Sequence, residues 1–188
     1  MTESAEPDVP PTAGVPRDYR LLVPREWFRV DLTGDRWRAQ LKTFVDQQAA
    51  GRHVPAERRR SVWATLRNTA EAGLARGAME FFVLALSDDG GLPASLLVSS
   101  MPMGRTPADP QKYAAWLEAR DPRKRVSVVE LSAGTAVRVL GATTLSVHVC
   151  MPGAVGYLTL SFSSPLTGMS GPMERLCDAI AGSVRWVV

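Results

Sequence analysis

The sequence predicts an α+β protein: an α/β/α sandwich whose mainly antiparallel sheet is covered by helices on both faces. Three observations carry this expectation. Strand-length segments succeed one another across short Gly/Pro turns, which forces antiparallel neighbours, because parallel pairs need a long crossover. The run Phe81 to Leu86 is apolar at every position, which implies cover on both sides. Segments of helical periodicity, each with an apolar stripe, supply that cover.

Along the chain, Tyr19 to Val23 and Trp27 to Leu32 read as extended segments, and Thr33-Gly34-Asp35 ends the second and caps the first helix. Trp37, Leu41, Phe44, Val45 and Gln48 recur at helical spacing, with Arg36, Arg38, Lys42 and Asp46 on the other side, and Gly51 stops this helix. A second helix has Pro55 in its first turn and runs to about Arg76. Its inner face is Val62, Leu66, Ala70 and Leu74, and Gly77 ends it. Phe81 to Leu86 turns through Asp88-Asp89-Gly90-Gly91 into a partner strand, Ala94 to Ser100. A third helix is expected after a Thr106 cap, with Pro107 first, Asp109 at the capping-box position and a buried stripe of Tyr113, Trp116 and Leu117.

Four strands come next: Val126 to Leu131, Ala136 to Leu140, Leu145 to Cys150 and Tyr157 to Phe162. In the last two, Leu145, Val147, Val149, Leu158, Leu160 and Phe162 alternate with polar or small residues. A final helix starts after Ser170 and buries Met173, Leu176, Cys177 and Ile180 before Gly182. Trp186 comes last, among valines that water would not hold cheaply. The order is β-β-α-α-β-β-α-β-β-β-β-α. No linker splits residues 17–188, so one domain is expected there, after a tail over residues 1–16 rich in Pro, Ala and acids.

Composition narrows the function. The chain has 188 residues, 45% hydrophobic and 22% charged, with two cysteines and two histidines. These values exclude wholesale disorder and a disulfide scaffold. No apolar run reaches the roughly 20 residues of a membrane span, and the start lacks the cationic and apolar regions of a signal peptide. A cytoplasmic location is the expectation, with no membrane partner. The net charge is only +3. Of 22 cations just Lys42, Lys112 and Lys124 are lysines, and Asn68 is the single asparagine. This usage fits a GC-rich bacterial genome, with arginine spread over helix surfaces. The clusters Arg58-Arg59-Arg60 and Arg123-Lys124-Arg125 lack interleaved aromatics, so nucleic acid is not the expected partner.

Two segments carry a resemblance. Tyr19-Arg20-Leu21-Leu22-Val23-Pro24-Arg25-Glu26-Trp27 is similar to the Tyr-x-Leu-x-x-Pro-x-x-Trp opening of PsbP-like domains. The strand Tyr157 to Phe162, with Ser163-Ser164-Pro165, Asp178-Ala179-Ile180 and Trp186, resembles that superfamily's closing strand and helix, actinobacterial members included. The resemblance implies the α/β/α sandwich and, for many members, a non-enzymatic binding or assembly role. It carries over no catalytic residue. Lipoprotein members have an N-terminal lipobox cysteine, whereas the first cysteine here is Cys150.

Catalytic chemistry finds few residues to use. His148 and Cys150 share one face of a strand, as two zinc ligands or a Cys-His pair would, but no second ligand pair has the right spacing. His53 falls in a loop and Cys177 in the core. Gly168-Met169-Ser170-Gly171 lacks the nucleophile-elbow pattern, and no phosphate-binding glycine motif is present. Asp88-Asp89 reads as turn chemistry. No catalytic residue, metal or cofactor is therefore expected. Trp63 sits one step off its helix's apolar stripe. Together with Met101 and Met103 it is a candidate apolar patch rimmed by Arg59 and Arg60, with Arg123, Lys124 and Arg125 as a candidate grip on an acidic partner or phosphate. The expectation is a cytoplasmic binding or assembly protein that engages a protein partner, with a homodimer as one form of it. The alternative is a small-ligand binder or hydrolase-type enzyme with a pocket between sheet and helices.

Overall fold

The period-2 segments form a seven-stranded sheet in which every neighbouring pair is antiparallel. The computed structural model describes residues 18–50, 54–85, 94–104 and 107–187. Within these, β1 is Asp18–Arg20, β2 Trp27–Asp31, α1 Trp37–Ala50, α2 Ala56–Leu74, β3 Ala78–Leu84 and β4 Ser95–Pro102. Then come α3 Pro110–Arg120, β5 Arg125–Leu131, β6 Gly134–Leu140, β7 Thr144–Cys150, β8 Gly156–Ser163, α4 Gly171–Gly182 and β9 Arg185–Val187. The fold is α+β. The large sheet runs β2-β3-β4-β8-β7-β6-β5, and β1 pairs with β9 in a separate two-stranded ribbon.

Alternation along the strands decides which layer covers which face. Phe81 and Val83 of β3, both fully buried, face α1 and α2 and join Val30, Leu41, Phe44, Leu66 and Ala70 in one core. Phe82 points the other way. There it joins Leu96, Val98, Leu145, Val147, Val149, Leu158, Leu160 and Phe162 beneath Cys177, Ile180 and Ala181 of α4. Each such aliphatic or aromatic burial stabilises by about 1.5–3 kcal/mol. The ribbon β1–β9 packs on this second core through Tyr19 and Trp186, and Trp186 Nε1 donates to the Ala133 carbonyl at 2.7 Å. α3 lies on the same face as α1 and α2. Its Tyr113 stacks on Tyr157 of β8 at 4.9 Å and meets His148 of β7 edge-on at 5.1 Å. Helices thus cover both faces.

Glycine sets two junctions. Gly77 turns the chain out of α2 with φ +80°. Gly156 opens β8 against β4, where an added Cβ would overlap the Met101 carbonyl oxygen and lie 2.9 Å from Pro102 Cα. One side-chain network joins sheet to helix across the second core. Arg138 of β6 donates to Asp178 (2.9 and 3.1 Å) and to Glu174 (2.6 Å) of α4.

Several sequence expectations are corrected. The extended segment Tyr19 to Val23 pairs only over Asp18–Arg20, and its partner is β9, a strand absent from the expected order. Thr33 does not cap α1, which starts at Trp37; its amide and hydroxyl both donate to Asp31 Oδ1 and close the turn after β2. The cap of α3 is Asp109, whose carboxylate accepts from the Gln111 and Lys112 amides, and Pro110 rather than Pro107 opens the helix. The buried stripe of α3 is also overturned. None of its residues is fully buried, and Trp116 is 51% exposed. α3 sits over β5 and β6 at one end of the sheet, so only the side bearing Tyr113 meets strands. Trp116 instead stacks outward on Tyr113 and under the Arg120 guanidinium. The tail over residues 1–16, the Gly51 stop, His53, Leu86, the Asp88–Gly91 turn and the Thr106 cap lie outside the described residues. Among the described residues no helix is long and apolar enough to cross a membrane.

Candidate functional site

Three of the candidate residues come together between α1 and α2. Arg59, Arg60 and Trp63 of α2 line a groove of about 190 Å³ with Lys42, Val45 and Asp46 of α1. The two helices are antiparallel neighbours whose inner stripes meet over β2 and β3, so the residues just outside those stripes form facing banks. Trp63 is half-buried and packs against the core shared with Leu66 and Phe44. Its ring and the Val45 side chain make the apolar part of the groove, and Lys42, Arg59 and Arg60 the charged part.

The electrostatics of this layer differ from the rest of the chain. Residues 36–76 hold nine Lys/Arg and three Asp/Glu, a net +6. The whole chain is +3, so everything else sums to −3. The positive charge is therefore concentrated in the segment carrying α1 and α2.

The three acids of this segment are partly committed. Lys42 Nζ donates to Asp46 Oδ2 at 2.6 Å, and Arg38 bonds Glu71 at 3.0 Å while lying over the Trp37 ring. The Lys42 hydrogen bond, with the charges of Lys42 and Arg59, holds the Asp46 carboxyl below its ordinary range. Among the described residues Arg58, Arg59 and Arg60 have no ion-pair partner. They lie in the opening turns of α2, at the positive end of its dipole, where cations are disfavoured.

The other candidates lie elsewhere. Met101 and Met103 are at the end of β4, half-buried beside β8, where Met101 is paired with Tyr157 and the Met103 amide donates to the Val155 carbonyl. Arg123, Lys124 and Arg125 lie at the start of β5, the opposite sheet edge from β2. Strand spacing of about 4.8 Å puts β5 four strands, roughly 19 Å, from β4. Arg123 and Lys124 both reach Asp121, at 3.1 and 3.7 Å. The eight residues thus occupy three separate places, and only the first forms a groove.

His148 and Cys150 lie under α3. The His148 ring is 9% exposed and its Nδ1 is 3.0 Å from Thr159 Oγ1. Burial depresses the imidazole to about 4 and raises the Cys150 thiol, so both are held neutral near pH 7. Burial pushes Cys177 up to about 12.

No protein-family model matches the chain, and no curated protein or solved structure is significantly similar to it.

Sequence reasoning finds Arg59, Arg60 and Trp63 but misses Lys42 and Val45, which complete the groove from α1. A charge count over residues 36–76 carries that signal in the sequence itself.

Proposed function

We propose that the protein is a non-enzymatic, cytoplasmic binding or assembly module that engages an acidic segment of a protein partner through the groove between α1 and α2. The observation that carries this reading is the pairing of a Trp63/Val45 floor with Lys42, Arg59 and Arg60 in a segment of net +6. An apolar anchor flanked by arginines that have no ion-pair partner among the described residues suits a partner whose aromatic or aliphatic side chain is flanked by Asp or Glu. The anchor supplies affinity, and guanidinium–carboxylate pairs supply orientation and on-rate. The resemblance to PsbP-like domains, many of which bind or assemble without catalysis, supports the same reading.

The test compares wild type with Arg59→Glu/Arg60→Glu and with Trp63→Ala in cross-linked capture from nuclease-treated lysate. Proteins bound by wild type but lost with both variants, with capture weakening as salt rises, are the expected result. Identical capture by all three forms refutes the proposal. Capture that vanishes on nuclease treatment assigns the basic layer to nucleic acid instead.

A further inference from the structure

On the face of the sheet opposite α1 and α2, the arch from Asp18 to Arg25 stands over the edge made by β2 and β3. It borders an open cleft of about 720 Å³. That volume falls within the roughly 300–1,000 Å³ of small-molecule sites. Trp27 and Phe82, each 6% exposed, and half-buried Met79 give the cleft an apolar lining, continued by Leu21 and Val23 of the arch.

The charged groups of this cleft are unequally committed. Glu80 is 9% exposed and both its oxygens are taken. The Tyr19 hydroxyl donates to Oε2, and Arg29 Nε donates to Oε1 at 2.5 Å. Burial and the Glu80 charge push the Tyr19 phenol far above its ordinary range, so it stays a donor. Asp18 Oδ1 accepts from the Tyr19 amide at 2.8 Å, and Asp31 Oδ1 accepts twice from Thr33. The lining holds three acids and three arginines, so its formal charge balances, and what distinguishes Arg20 and Arg25 is that no hydrogen bond ties their guanidinium groups among the described residues. Among the described residues neither Arg20 nor Arg25 has an ion-pair partner, and the Arg29 side chain is 66% exposed.

We infer that this cleft binds a small amphipathic organic anion. Its aromatic or aliphatic body lies on Trp27, Phe82 and Met79, and its charged group lies against Arg20 and Arg25. Planar guanidinium donors suit such a group. Glu80 acts as a positioning residue: by holding Tyr19 and Arg29 it fixes the arch to the sheet and keeps the cleft open. This site is separate from the groove between α1 and α2 and does not depend on the reading of that groove.

The experiment titrates the full chain with 8-anilinonaphthalene-1-sulfonate, an anionic fluorescent probe, and with N-phenyl-1-naphthylamine, which has the same aromatic body without the charge. Wild type is expected to bind the sulfonate saturably at one site, about tenfold more tightly than the amine. Arg20→Gln/Arg25→Gln should weaken the sulfonate about tenfold and change the amine less than about twofold. Met79→Trp, which fills the cleft, should weaken both probes. Arg59→Glu/Arg60→Glu should weaken neither. Cooperative urea unfolding of each variant separates site binding from dye uptake by loosened chains. The inference is overturned if the wild-type signal does not saturate, if the arginine double variant binds the sulfonate as wild type does, or if Met79→Trp leaves both probes unaffected.

Discussion

Acidification should destabilise this protein through one side chain, His148. The imidazole lies 9% exposed beneath α3, with the Tyr113 ring edge-on to it and Thr159 Oγ1 3.0 Å from Nδ1. Burial lowers its pKa from 6.5 to about 4. The unfolded chain takes up a proton near pH 6.5, and the folded chain does not until about pH 4. The contribution of the neutral ring is therefore fully present above pH 6.5 and is lost progressively as pH falls toward 4. At 1.36 kcal/mol per pKa unit, linkage gives a loss of about 2 kcal/mol between pH 8 and pH 5 and about 3 kcal/mol by pH 4.

The assay is urea denaturation of wild type and His148→Asn at pH 8 and pH 5. The asparagine amide can still meet the Thr159 hydroxyl but does not titrate. Carboxylates titrate in both proteins, so their effect cancels in the comparison. Wild type should lose about 2 kcal/mol more than the variant over this range. Equal losses would refute the reasoning, as would an NMR titration placing His148 near 6.5. With only two histidines in the chain, the resonance missing from the variant identifies it.

The remaining predictions concern packing and charge. Arg138→Met leaves Glu174 and Asp178 facing each other at i,i+4 on α4 without their shared cation. A fully buried pair would lose 3–5 kcal/mol; with Asp178 43% exposed, urea melts should show a loss of about 2 kcal/mol, largely restored by adding Glu174→Gln and Asp178→Asn. Gly156→Ala, which drives a Cβ into the β4 backbone, should lower stability by about 1–3 kcal/mol. Gly182→Ala, with open space around its Cβ at the end of α4, should raise it by up to about 1 kcal/mol. Arg59→Glu/Arg60→Glu gains at the positive end of the α2 dipole but sets an acid against Asp46, so its Tm by calorimetry should change little even as partner capture is lost. A large fall in Tm would mean that these arginines support the fold.

What the sequence reveals depends on how local the governing physics is. β7 and β8 are legible because a strict period of two separates Leu145, Val147 and Val149 from Ser146, His148 and Cys150, and the same alternation holds along Tyr157 to Phe162. α4 is legible because Cys177, Ile180 and Ala181 recur at helical spacing. β9 is three residues long, too short for any periodicity, and exists only because β1 returns to pair with it. The stripe of α3 misleads because an amphipathic pattern does not say how much sheet a helix will find beneath it; here the sheet ends, and Trp116 is left outside. The groove is half legible. Arg58-Arg59-Arg60 stands out as a run, but Lys42 and Val45 join it only through the α1–α2 contact. The Tyr19–Glu80–Arg29 cluster spans 61 residues of chain and leaves no local trace.

The position of β8 sets the order in which the molecule can be made. It lies between β4, which precedes it by more than fifty residues, and β7, so it joins β2-β3-β4 to β7-β6-β5. A nascent chain still short of residue 156 holds two three-stranded half-sheets. Each ends in an unpaired inner edge, and the apolar faces of Leu96, Val98, Leu145 and Val147 await α4. Such edges invite pairing with other chains. Completion of the sheet is thus deferred until β8 has left the ribosome. Translation halted just before that strand would release an aggregation-prone fragment rather than a partly active one.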